Sequence, residues 1–252
     1  MEIDPADVMD QAFYLGTYDP WLLQVMRDVV GKGDHALDLG AHKGYVTLRM
    51  AKRVGPAGRV FAFEPDPRAR EHLEAHVRRN RLGQVTCYPY ALGREAGNLE
   101  LSLSSQLGWS SFFPNEMARP AVTGRITVPV RSVDGLRADG TLAIDPARLS
   151  FVKIDTEGAE LQVLEGMRDL LAASRPTIWL EVNRGSLAAA GARPAAIADL
   201  LHGLGFALFV PHRGRRLGLP RVSMLMARDL EQQPESVFDV VASRDRPRLA
   251  VG

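Results

Sequence analysis

Acidic residues recur where short apolar runs stop. Asp38 lies in H-A-L-D-L-G (35–40), and Glu64 ends R-V-F-A-F-E-P (59–65). Asp155 ends S-F-V-K-I-D (150–155), and Glu181 falls near the end of P-T-I-W-L-E-V-N (176–183). The first run opens into a glycine turn, G-A-H-K-G-Y (40–45), followed by a helical pattern. A strand that delivers the chain through such a turn into a helix is suited to hold a nucleotide-sized ligand, whose anionic end the helix amides can take. Glu64 follows Gly40 by about 20 residues, the spacing of an acid that grips a ribose diol. A dinucleotide would ask for G-x-G-x-x-G, so that backbone can crowd a pyrophosphate. Residues 40–45 lack that spacing. A ligand with a ribose but no phosphate needs less glycine, and S-adenosylmethionine (SAM) is such a ligand. Its carboxylate would take the helix amides, and Asp38 stands where it could serve the ammonium directly or through the loop. Lys43 on the turn reads either as a solvated side chain or as a cation that attracts the ligand carboxylate.

Methyl transfer from a sulfonium is an in-line displacement, so the protein must align the acceptor and exclude water. An alcohol acceptor also sheds a proton, which calls for a base. Asp155, Glu157 and Glu181 are the candidates for catalysis. Lys153 and Asp155 share a strand face, so an ion pair between them is a second reading. Glu160 opens a helical pattern, where it either complements the helix dipole and caps the loop or takes part in catalysis. Asp155, Glu181 and Asn183 are oxygen donors that could hold a divalent cation such as magnesium. Oxygen-rich strand ends without metal are common, so no metal ligand is assigned. The histidines lack ligand spacing, and His72 and His76 read as a solvated face.

These groups need a frame. Residues 20–30, 44–54, 66–80, 159–173 and 193–205 carry helical spacing or helix caps. Residues 35–40, 59–65, 84–92, 150–158, 176–183 and 206–210 read as strands. Alternating strands and helices imply a parallel sheet covered on both faces. Runs 98–103 and 125–133 alternate at period two and suggest an antiparallel excursion. Run 222–229 could pair as an edge strand, and across a dimer. The loop 104–120 is long and aromatic, and loops of that length in compact domains usually serve function. Trp109, Phe112 and Phe113 in it either line an acceptor pocket or plug the core beneath the loop.

A chain of 252 residues with net charge +1 has no bulk field that would favour nucleic acid or a membrane surface. The arginines at 212–216 and 243–248 read as a solvated face and a frayed tail. The single cysteine, Cys87, allows neither an internal disulfide nor a cysteine-based metal site. The first ten residues are acidic, without the apolar centre of a secretory signal. No apolar run approaches the ~20 residues of a membrane span. These features favour a soluble, cytoplasmic protein.

D-L-G-A-H-K-G-Y-V-T (38–47), F-E-P (63–65) and K-I-D-T-E-G-A-E-L-Q-V-L-E-G (153–166) together resemble the FkbM-type family of SAM-dependent methyltransferases. The third motif is the most specific. One departure is His42, where the family pattern more often has asparagine. The resemblance implies a Rossmann-like class I methyltransferase: an α/β, doubly wound, mostly parallel sheet with an antiparallel edge and a short helical N-terminal cap. The division is then a cap over residues 1–34 and a methyltransferase domain over 35–252. Carried over, Asp38, Gly40, His42, Gly44 and Thr47 form the first SAM-binding segment, and Glu64 holds the ribose. Pro65 and Asp66 lie beside the adenine, with Tyr90, Ala91 and Leu92 facing it. Segment 14–20 resembles an entry lid, with Asp19 as its acid. Ser110 and Ser111, with Trp109 and Asn183, are placed at the acceptor. The implied function is O-methylation of a hydroxyl on a small natural product or sugar, by a monomer or homodimer without a nucleic-acid or membrane partner. N-methylation of an amine or amide and a non-catalytic SAM-fold scaffold are the alternatives, and a Rossmann oxidoreductase is a further rival.

Overall fold

A computed structural model describes residues 8–104, 122–216, 219–227 and 229–244. Trp109, Ser110, Ser111, Phe112 and Phe113 lie outside these residues, as does the arginine-bearing tail beyond 244.

Helices α1 (Val8–Leu15) and α2 (Pro20–Val29) precede the first strand, β1 (His35–Leu39). Then follow α3 (Tyr45–Val54), β2 (Arg59–Phe63), α4 (Pro67–Arg79), β3 (Val85–Tyr88) and β4 (Ala91–Leu92). The long antiparallel pair β5 (Gly97–Ser104) and β6 (Val122–Arg131) leads to α5 (Val133–Ala138) and β7 (Leu149–Ile154). The second half comprises α6 (Glu160–Glu165), α7 (Arg168–Ala173), β8 (Thr177–Asn183), α8 (Arg184–Ala189) and α9 (Pro194–Gly203). It ends with β9 (Ala207–Arg216), β10 (Leu219–Met226) and β11 (Val237–Ser243).

The main sheet has eight strands in the order β10-β9-β11-β8-β7-β1-β2-β3. Strands β3, β2, β1, β7 and β8 are parallel neighbours, while β11 pairs antiparallel with both β8 and β9. Strand order reverses between β1 and β7, the point at which open α/β sheets bind ligands beyond their carboxyl ends. A second sheet, β4-β6-β5, stands beside it.

All five residues of β1 are buried, because helices cover both faces. Leu37, Val152 and Leu180 belong to the core on one face, and Ala36, Phe151 and Trp179 to that on the other. The second core also takes Phe13 from α1 and Leu22, Val25 and Met26 from α2, so the N-terminal helices pack on the sheet itself. Helix starts follow local chemistry. Asp19 and Asp66 accept the amides of Leu22 and Arg68, and each is followed by a proline in the first turn.

Two elements differ from expectation. The run 84–92 is not one strand, because Pro89 interrupts it: β3 stays in the main sheet and β4 crosses to the small one. The helix expected over 159–173 is two helices, α6 and α7. Between them Gly166 approaches the Gly93 carbonyl so closely that an added Cβ would stand 2.0 Å from its oxygen. The expected edge strand is β10, paired antiparallel with β9.

Candidate active site

The ends of β1, β2, β7 and β8 surround a cavity of about 440 Å³, within the usual range for small-ligand sites. Its walls include Gly40, His42, Glu64, Asp155, Glu181 and Tyr18.

The turn after β1 is held from beneath. Gly40 has φ 82° and passes so near β7 that a Cβ would lie 1.8 Å from the Asp155 carbonyl oxygen. Only glycine fits there. The Asp155 amide donates to Leu39 O at 3.0 Å, and the Gly40 and Ala41 amides converge on Phe63 O. His42 has φ 50°. Asparagine and histidine both tolerate this left-handed conformation better than most residues, which gives a physical reason for the departure from the family pattern. Gly44, at φ 92°, caps α3 without any side-chain bond to the helix amides.

Asp38 is fully buried, with no face on the cavity. Thr47 Oγ1 donates to Asp38 Oδ2 at 2.6 Å, and Lys153 Nζ lies 3.6 Å from Oδ1. Burial pushes the Asp38 carboxyl above the usual range, against the pull of Lys153 and Thr47. Lys153 also donates to Gly40 O at 2.8 Å and pairs with Asp155 Oδ2 at 3.2 Å. Burial works against its charge, but Asp155 and Asp38 outweigh that and hold it protonated. Asp38, Gly44 and Thr47 therefore support the turn from below rather than facing the cavity, so a direct contact from Asp38 to a ligand's ammonium is excluded by its burial.

Glu64 faces the cavity. Oε2 accepts the His42 amide at 2.8 Å and Oε1 the Asp66 amide at 2.9 Å. Burial pushes its pKa up to about 7 despite those two amides. Pro65, Asp66, Tyr90, Ala91 and Leu92 line the same side. Asp66 is anchored by Arg68, whose Nη2 lies 2.7 Å from Oδ2 and whose Nη1 reaches Ser104 O.

The loop after β7 brings Asp155, Thr156 and Glu157 to the opposite side of the cavity. Glu157 sits at φ 54°. Glu160 is buried, and its Oε1 accepts from the Thr156 and Gly158 amides and the Thr156 hydroxyl, so it ties the loop. Asp155 Oδ2 is fixed by Lys153, and no bond is made to Oδ1 among the described residues. The ion pair is present, and Asp155 also lines the cavity. Glu181 stands on the neighbouring strand, its carboxyl raised well above the usual range first by Asp155, then by burial, Asp239 and Glu157. Asn183 lines the cavity, but its Oδ1 accepts the Ser186 amide at 3.1 Å and starts α8. Among the described residues, no three His, Cys, Asp or Glu side chains come together as a cation cage. The donor set thus does not fit the magnesium reading.

Three features escaped the sequence. Lys43 is buried, not solvated, and pairs with Asp10 of α1 at 2.9 Å. His76 is also buried, its Nδ1 2.8 Å from Lys43 O. Phe13 stacks on Tyr45 with centroids 4.5 Å apart, and Tyr18 meets both edge-on. Tyr18 stands beside Asp19, which caps α2. An aromatic two residues before a helix-starting proline was the one available signal. No described helix is long and apolar enough to cross a membrane.

The methyltransferase FkbM domain family matches residues 38–208. Methyltransferase 1 of Beauveria bassiana is 28% identical over 145 residues, covering 53% of this chain and 58% of that protein. Methyltransferase sdnD of Sordaria araneosa is 32% identical over 154 residues, covering 52% of this chain and 59% of that protein. The matched stretch thus spans less than two thirds of either relative. The crystal structure of methyltransferase FkbM from Methylobacillus flagellatus is 16% identical, with a TM-score of 0.48, covering 95% of this chain and 55% of that one. The turn after β1, the acid ending β2 and the Glu160-tied loop after β7 all fall within the matched residues, and the chain belongs to the FkbM family of SAM-dependent methyltransferases.

Proposed function

We propose that the protein methylates a hydroxyl of a small-molecule acceptor, with Asp155 receiving the hydroxyl proton. The observation that carries this reading is the placement of the Asp155 carboxylate: Lys153 fixes its Oδ2 at 3.2 Å, and the residue lines the cavity. A base must be within hydrogen-bond reach and correctly turned. The ion pair provides the turning. Glu181 holds its proton more tightly than an ordinary carboxyl, first because Asp155 stands beside it and then because it is buried.

The rest of the cavity suits SAM, which supplies an electrophilic methyl on a sulfonium when bound. Gly40, His42 and the uncapped start of α3 would hold the methionine end. Each Glu64 oxygen accepts one amide and keeps a lone pair, which a ribose hydroxyl could use. Pro65, Asp66, Ala91 and Leu92 would flank the adenine. Beneath them Asp38, Gly44 and Thr47 set the shape of the turn. Glu157 and Asn183 line the same cavity and would serve the acceptor side. The proton of the acceptor hydroxyl would pass to Asp155 as its oxygen takes the methyl, the methyl–sulfur bond breaking to leave S-adenosylhomocysteine.

Calorimetry with SAM and S-adenosylhomocysteine (SAH), followed by turnover with Asp155→Asn, tests this. The variant is expected to keep SAH affinity and lose about 10²–10⁴-fold in turnover. Failure of the folded wild type to bind either compound overturns the cofactor site. Product carrying the methyl on nitrogen overturns the hydroxyl assignment.

A further inference from the structure

Resting on that reading, one corner of the same cavity says more about the acceptor. Tyr18 and Glu181 both line it, and among the described residues neither the phenol oxygen nor the Glu181 carboxylate makes a hydrogen bond or ion pair. Both are half-buried in the wall, so each can meet a ligand from the cavity. They stand where Asp155, Glu157 and Asp239 also act on Glu181, with Lys153 the cation that opposes them. Lys153 is already engaged by Asp38, Asp155 and Gly40 O. The Asn183 amide oxygen is turned to the Ser186 amide.

We infer that the acceptor carries, besides its hydroxyl, a protonated amine that seats between Tyr18 and Glu181. The corner offers oxygens and negative charge. An ammonium offers three donors, one positive charge and no acceptor, and is therefore its complement. The Tyr18 ring adds a face on which a cation is attracted. Asp155 Oδ1, the neighbouring oxygen, is then left to the hydroxyl.

The test uses SAH-loaded protein and probe pairs that differ in an amine: glucosamine against glucose, and tyramine against 4-ethylphenol. Binding is read by melting shift and calorimetry, and methylation by SAH release from SAM-loaded protein. In at least one pair the amine is expected to bind about tenfold or more tightly than its neutral partner. Glu181→Gln should remove that preference while leaving SAH affinity within about twofold. Equal responses within every pair, or none to any probe, overturn the inference. So does loss of SAH affinity in Glu181→Gln, which would assign the corner to the cofactor's own ammonium. If the wild type fails to bind SAH, the methyltransferase site itself falls; if it binds SAH without amine preference, only the acceptor class falls.

Discussion

Gly40→Ala is the sharpest perturbation of the site that adds a single methyl group. Two costs combine. A residue with a Cβ at φ 82° pays about 1–2 kcal/mol for the left-handed conformation. The new Cβ would also lie 1.8 Å from the Asp155 carbonyl oxygen, so β1 and β7 must separate by about 1 Å. Forcing atoms into a packed site costs about 1–3 kcal/mol more. The sum is about 2–5 kcal/mol, or a fall in Tm of roughly 10 °C at this chain length. Gly140→Ala separates the two costs, because Gly140 has φ 79° and nothing within 4 Å of an added Cβ. It should lose about 1–2 kcal/mol and keep SAH affinity. Gly40→Ala should melt lower still and bind SAH at least tenfold more weakly, since the strand ends that carry Asp155 have moved. Thermal melting and calorimetry on both variants decide the matter. Gly40→Ala indistinguishable from Gly140→Ala would refute the close approach of β1 and β7 as the basis of the turn.

Three further outcomes are expected. Glu64→Gln should weaken SAH binding about tenfold to hundredfold, as loss of charge-assisted bonds does, and calorimetry with no change would remove Glu64 from the ribose. Because the Glu64 pKa is raised to about 7, its contribution to apo stability is full below the unfolded value near 4.5 and is lost as pH rises through 7. Urea unfolding across that window should therefore favour Glu64→Gln over wild type increasingly as pH climbs, and parallel curves would contradict the burial. Asp10→Asn removes the partner that Lys43 meets at 2.9 Å, but α1 can undock and release Lys43 to water, which limits the global cost. Hydrogen exchange should therefore rise in α1 with only a small change in Tm, and unchanged exchange there would show that the pair does not fasten the helix.

The sheet was legible because buried strands write their covering into sequence: H-A-L-D-L and F-V-K-I-D are apolar runs that stop at acids. The turn after β1 was legible too, since glycines at 40 and 44 answer a backbone demand that sequence displays. What stayed hidden depends on partners far along the chain. Nothing near Lys43 announces Asp10, and a charged helix face does not show that His76 turns inward to the Lys43 carbonyl. The split of 159–173 depends on Gly93, more than 70 residues from Gly166. The corner formed by Tyr18 and Glu181 joins a segment before β1 to the end of β8, and a tyrosine beside an acid in sequence points equally well to a cap.

Strand β11 threads between β8 and β9, setting Asp239 beside Glu181 and Val237 beside Asn183. Until residues 237–243 are made, β8 has no neighbour on that side and β9 has no route into the sheet. The half of the cavity proposed for the cofactor, built on β1, β2 and β7, needs none of them. A nascent or prematurely ended chain would thus acquire a nucleoside pocket before it had an acceptor corner, and would expose the β8 edge to foreign pairing meanwhile. Arrival of β11 closes that edge and sets Asp239 beside Glu181 in one event, so on the proposed reading competence for the acceptor doubles as a report that synthesis has run past residue 243.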